Sequence, residues 1–223
     1  MAKVLLLTAG YGEGHNAAAR GLLAAFGELG ADAEIHDLFE QTGGAFYGHT
    51  RRGYLQLINR APHVWAGFFS LIDRFPIVPL TLPLLGKMRR ALAALIAGKK
   101  PAALVSVYPV YGYLIERLFP AGTPRPFRSH TVVTDSITIN SIWFRCASDT
   151  FIVPNDDSAA VMQKAGVPAE KLHVLGFPVQ PRFSRERPER APARALGFVA
   201  HHYHHERHAG LLAQLAAAGV NIA

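Results

Sequence analysis

The residues best suited to chemistry stand together near the start of the chain, as Gly10, Gly12, Gly14, His15 and Asn16 in the run AGYGEGHN. An apolar stretch over residues 3–9 leads into this loop. A helix-like sequence from about residue 16 to 29 leaves it, with Leu22, Leu23, Phe26 and Leu29 at helical spacing and Gly30 as the stop. Strand, glycine loop and helix together outline a phosphate-binding turn. The glycine spacing, however, is G-x-G-x-G, and His15 takes the place of the last glycine in the dinucleotide pattern G-x-G-x-x-G. No Gly-Lys-Ser/Thr follows. Asp37 stands about where a ribose-binding acid would, which keeps a nucleotide-dependent oxidoreductase as one reading.

The other reading makes the histidine the working part. Glycines let the backbone turn sharply and leave room for a bulky ligand. The N-terminal end of a helix disfavours a protonated imidazole, and a neutral imidazole facing a cleft can take the proton of an attacking hydroxyl. Spacing alone leaves His15 equally readable as a plain helix cap.

The elements that position this loop follow a single pattern. Short apolar runs at residues 34–38, in PAALVSVYP, at 130–135, at 150–155 and in KLHVLGFPV alternate with helical stretches at 113–118 and in DSAAVMQKAG. Asp156 or Asp157 is expected to cap the latter helix, which ends at Gly166. This alternation predicts a Rossmann-like α/β fold, a parallel sheet with helices on both faces and a ligand edge at the carboxyl ends of the strands. Residues 1–180 form the expected domain, and the Arg- and Pro-rich run 181–194 reads as a linker. Residues 195–223 read as the start of a second α/β domain, cut off after one βαβ unit.

Charge is unevenly distributed. The chain carries +7, yet residues 1–40 carry −4, residues 131–223 carry +1, and residues 41–130 hold twelve Lys/Arg against two acids. Within that block, residues 46–98 mix Tyr54, Trp65, Phe68 and Phe69 with Arg51, Arg52, Lys87, Arg89 and Arg90. Cations and aromatic rings on amphipathic helices suit a membrane surface containing anionic lipid. The alternative is a helical insertion that completes the core. Nucleic acid is set aside, because a phosphate backbone has no use for so many large aliphatic residues. No run of ~18 uninterrupted apolar residues marks a transmembrane helix. No basic, apolar and cleavage-site series marks a signal peptide. A single cysteine, Cys146, rules out an intrachain disulfide and fits a reducing compartment.

Two blocks, AGYGEGHNAAARGL and TVVTDSITINSIWFRCASDTFIVPNDDSAAVMQKAGVPAEKLHVLGFPVQPRF, resemble the N-terminal domain of monogalactosyldiacylglycerol synthase and the related processive diacylglycerol glucosyltransferases. That family is similar in turn to the bacterial transferase that adds N-acetylglucosamine to a lipid-linked peptidoglycan precursor. The resemblance covers about residues 3–183. It implies the N-terminal half of a GT-B fold, which takes a lipid acceptor at the membrane while the C-terminal half binds a UDP-sugar. The implied reaction is an inverting hexosyl transfer from UDP-galactose or UDP-glucose to diacylglycerol. It needs no cofactor or metal, the UDP-sugar being a substrate, and it takes place at the cytoplasmic face of the membrane as peripheral association.

On this resemblance His15 is the general base, and Asp135 orients or stabilises the imidazolium; Asp135 reads equally well as a strand-end cap. Gly12, Gly14, Asn16, Pro109 and Asn140 form the acceptor side. Relatives often carry a histidine where Asn140 stands. Where the family starts its donor domain this chain has GFVAHHYHHERHAG, so the donor half is expected to be missing. A non-catalytic membrane-binding remnant, or a transferase for another lipid-linked acceptor, therefore remains an alternative. In that stretch His201, His202, His204, His205 and His208 fall within eight positions, but no carboxylate or cysteine completes a set, and no metal site is expected.

Overall fold

The computed structural model describes residues 2–75, 77–136 and 139–181. The linker after Pro181, the expected second-domain start and the histidine cluster lie outside the described residues. Six strands form one parallel sheet: β1 (Lys3–Thr8), β2 (Asp32–Asp37), β3 (Ala103–Ser106), β4 (Arg128–Val132), β5 (Thr150–Val153) and β6 (Leu172–Val174), in the order β2-β1-β3-β4-β5-β6. The helices are α1 (Glu13–Glu28), α2 (Leu38–Arg60), α3 (Pro62–Arg74), α4 (Ile77–Thr81), α5 (Gly86–Lys99), α6 (Val110–Leu118) and α7 (Asp156–Lys164). Every strand run expected within residues 1–180 is present.

The apolar runs are continuous because both faces of the sheet are covered. From β1, Leu5 and Leu7 pack with Leu38, Leu92, Leu104, Tyr111 and Leu114 on the side of α2, α5 and α6. Val4 and Leu6 point the other way, to Ala18 and Ala19 of α1, with Val105 and Val132. A third cluster joins Trp143, Phe151 and Val153 to Met162 of α7. Leu5, Leu6 and Leu7 are all fully buried, and each contributes about 1.5–3 kcal/mol of burial.

Two boundaries differ from the sequence reading, each for a physical reason. Helix α1 begins at Glu13, three residues earlier than expected, because Gly12 adopts an extended conformation (φ −143°, ψ 147°) and serves as its N-cap. Glu13 in the first turn suits the positive end of the helix. His15 is therefore the third residue of the helix. The cap of α7 is Asn155, not either aspartate, its side chain accepting from the Ser158 amide at 2.9 Å. The segment between β2 and β3 is a set of four helices, with Gly44 kinking α2 at φ 51°, ψ −137°, a region open only to glycine.

Candidate active site

The sheet order reverses at β1, which has β2 on one side and β3 on the other, and in such sheets ligands bind at the strand ends beside that reversal. Side chains from three strand-end loops meet there. His15, after β1, places Nδ1 2.8 Å from the Val107 carbonyl oxygen, after β3. The Thr134 hydroxyl, after β4, lies 2.9 Å from the same nitrogen. The imidazole meets the Tyr108 ring edge-on at 5.1 Å and the Trp143 ring at 6.0 Å with a 43° tilt. The Trp143 indole in turn donates to Asp135 Oδ2 at 2.7 Å. Burial holds the His15 pKa below the ordinary 6.5, with the Val107 carbonyl opposing that shift by favouring the charged ring.

The glycine loop has a fixed end and an open end. Gly10 N donates to Asp37 Oδ2 at 2.8 Å, Glu40 N donates to Asp37 Oδ1 at 3.0 Å, and Arg51 Nε donates to the Gly10 carbonyl at 2.5 Å. A Cβ on Gly10 would stand 2.6 Å from the Tyr47 hydroxyl. Around Gly14 nothing lies within 4 Å of such an atom, and around Gly12 only His15 Cδ2 does, at 3.9 Å. Open space thus borders the loop at Gly12, next to His15 Cδ2. Asp37 caps α2 and ties down the loop, so its carboxylate is engaged where a ribose-binding role would need it free. This is structural work that the dinucleotide reading did not foresee.

The other expected residues fall into two groups. Asn16 accepts from the Thr8 hydroxyl at 3.0 Å and Pro109 caps α6 beside Tyr108, both within this neighbourhood. Asn140 is only 2 % exposed; its oxygen caps the turn Ser141–Trp143 and its Nδ2 donates to the Phe69 carbonyl at 3.0 Å. It braces α3 against the Trp143 turn rather than presenting an open face to an acceptor. Thr134, Val107, Tyr108, Tyr11 and Trp143 were not singled out as site residues. A backbone carbonyl leaves no mark in the sequence, but the Thr-Asp pair and the tyrosine inside the glycine loop were visible signals.

A series of rings runs from the imidazole into the helical insertion. Tyr108 stacks with Tyr11 at 6.1 Å, Tyr11 meets Tyr54 at 6.0 Å, Tyr54 meets Trp65 at 5.0 Å, and Trp65 meets Phe68 and Phe69 at 5.7 and 6.2 Å. Tyr54 and Trp65, expected at a membrane surface, are half-buried in this series. Burial and the Asp135 charge raise the Tyr54 pKa, and burial, more than the Asp37 charge, pushes that of Tyr47 up to about 12. Beyond the rings, Val64, Phe68, Leu71, Phe75, Leu80 and Leu84 are exposed. Arg51, Arg52, Lys87, Arg89 and Arg90 are exposed as well, and Arg51 also donates through Nε to the Gly10 carbonyl.

No single helix among the described residues is long and apolar enough to cross a membrane. The stretches Pro62–Arg74 and Ile77–Lys99 pass that test only as a pair bent by 91°, and α5 turns Met88, Leu92 and Ile96 into the core. No group of three His, Cys, Asp or Glu suited to a metal ion occurs among the described residues. A cavity of about 520 Å³ between Asp73, Ser141, Arg145 and Lys171 shares no lining residue with the His15 constellation.

Residues 15–179 match the family model for monogalactosyldiacylglycerol (MGDG) synthase. The chain is 28% identical over 182 residues to a processive diacylglycerol beta-glucosyltransferase of Bacillus cytotoxicus, covering 81% of this chain and 46% of that protein. Proteins of the same name from Bacillus thuringiensis and Bacillus cereus are 27% identical over 182 residues, with the same coverage. The chain spans about half the length of these relatives.

Proposed function

The chain belongs to the monogalactosyldiacylglycerol synthase family, and on that premise we propose that it is the acceptor-binding half of a glycosyltransferase that builds a glycolipid on diacylglycerol. The observation that carries this reading is the bond between His15 Nδ1 and the Val107 carbonyl. A carbonyl oxygen only accepts, so Nδ1 carries the hydrogen and Nε2 keeps the lone pair. Burial lowers the pKa, so the ring stays neutral near pH 7 and is ready to act as a base.

In the proposed reaction a diacylglycerol hydroxyl enters beside Gly12 and Gly14. Its oxygen attacks the anomeric carbon of a UDP-hexose held by the rest of the protein. The new carbon–oxygen bond forms as the bond to the UDP phosphate breaks with its electron pair, inverting the anomeric centre, and Nε2 takes the hydroxyl proton. Asp135 acts one ring away, holding the Trp143 indole against the imidazole. The acceptor side of the cleft is Gly12, Gly14, Asn16 and Pro109. The chemistry uses no cofactor.

Diacylglycerol lives in the bilayer, so the site must face one. The exposed apolar residues on α3 and α4, flanked by Lys87, Arg89 and Arg90, suit the cytoplasmic face of a membrane with anionic lipid, bound peripherally. The aromatic series from Phe68 to Tyr108 supplies an apolar wall between that surface and His15. The test is transfer of radiolabel from UDP-glucose or UDP-galactose to diacylglycerol vesicles by the full-length protein. Labelled glycolipid with either donor supports the reading, and none with both refutes it.

A further inference from the structure

The nitrogen of His15 that is turned away from chemistry has two oxygen neighbours, and the second is a side chain. Val107 O at 2.8 Å fixes Nδ1 as the protonated nitrogen, since a carbonyl has no hydrogen to offer. Thr134 Oγ1 at 2.9 Å from the same nitrogen therefore also accepts, and the N–H is shared between two oxygens. The two come from neighbouring parallel strands: Ser106 of β3 pairs with Thr131 of β4, and Val107 and Thr134 follow at the same sheet edge. One N–H···O bond alone leaves a ring free to swing about its axis. A second acceptor off that axis removes the freedom, and a β-branched threonine holds its hydroxyl in few rotamers.

We propose that Thr134 is a positioning residue for His15, fixing the ring plane and stabilising the imidazolium as it forms, on the tautomer that the Val107 carbonyl selects. This rests on the reading of His15 as the base. The surroundings leave the task to Thr134 and the Val107 carbonyl. The Tyr108 and Trp143 rings pack against the imidazole, burial keeps the half-buried Tyr108 a neutral phenol by raising its pKa, and Asp135 stands behind the indole. On α1 itself the nearby charge is Glu13, which is paired with Arg20 at the surface. A shared N–H is a better donor when the ring is charged, so Thr134 works against the burial that lowers the pKa.

Thr134→Val keeps the shape and removes the acceptor, whereas Thr134→Ser keeps the acceptor. In the full-length protein Thr134→Val is expected to lower kcat by about tenfold to a hundredfold, as small misplacements of a reacting group do. KM for the lipid should stay unchanged, and the acid limb of the pH profile should move to lower pH. Thr134→Ser should restore most of the rate. Nitrogen-15 NMR of histidine-labelled protein should show the Nδ1-protonated tautomer in both wild type and Thr134→Val, with a lower His15 pKa in Thr134→Val. A Thr134→Val protein whose His15 titrates and transfers like wild type overturns the proposal. His15→Ala, run alongside, separates the two ideas. Full transfer by that variant removes the base, whereas the His15 titration decides on Thr134 without reference to turnover.

Discussion

The cleft at His15 and the outer face of the helical insertion are built in opposite ways. In the cleft, polar atoms are tied to named partners from distant parts of the chain. His15 reaches Val107, Gly10 reaches Asp37, and the buried Tyr111 hydroxyl donates to the Thr8 carbonyl at 2.7 Å while accepting from the Leu38 amide at 3.0 Å. On the insertion, large apolar residues are exposed, among them Phe68 and Leu71 on α3, Leu80 on α4 and Leu84, 84 % exposed, in the turn that follows, and exposed cations come next on α5. A preorganised cleft holds reacting atoms still, whereas a greasy, cationic face gains only when something else covers it. The difference teaches that stability and membrane affinity should separate cleanly by region.

The largest effect should come from Tyr111→Phe, which leaves the Thr8 carbonyl and the Leu38 amide without their buried partner. Denaturant unfolding should show a loss of about 1–3 kcal/mol for each group so stranded. Next comes Gly10→Ala, whose methyl would meet the Tyr47 hydroxyl. A loss of about 1–3 kcal/mol is expected, and Tyr47→Phe in the same chain should recover part of it. On the other face, Leu80→Glu with Leu84→Glu should leave unfolding within about 0.5 kcal/mol of wild type. The same pair should weaken sedimentation with anionic vesicles by about tenfold or more. Lost stability with intact vesicle binding would reverse the roles of the two regions.

Gly14→Ala should have the smallest effect on folding and is the sharpest contrast with Gly10. Nothing crowds a Cβ there, so alanine should be neutral or stabilise α1 by up to about 1 kcal/mol, while transfer falls if the acceptor enters beside it. The pH response carries a defined sign. Because burial lowers the His15 pKa, the unfolded chain binds its proton first as pH falls below 6.5. Stability from this group is therefore lost as pH drops from there toward the lowered folded value. The acid limb of kcat/KM should likewise fall below 6.5.

Much of this was legible in the residues. The strand runs within residues 1–180 and the helical insertion follow from periodicity, and one glycine spacing that is wrong for a nucleotide singles out His15 as a candidate. The start of α1 was missed because an extended glycine caps it, a backbone event with no side-chain signature. The bracing role of Asn140 was missed because it depends on α3 passing beside the Trp143 turn, a contact across 71 positions. Nothing in the sequence shows that Arg51, exposed like the other cations of the block, also donates to the Gly10 carbonyl from α2. Composition marks what a surface is made of, but not which of its side chains turn inward.

The most direct test of the central claim is sugar transfer to diacylglycerol vesicles by the full-length protein, wild type against His15→Ala. Removal of a general base predicts a fall in kcat of about a hundredfold to ten-thousandfold, with vesicle binding preserved. Transfer at the wild-type rate by His15→Ala would contradict the assignment of His15 as the base.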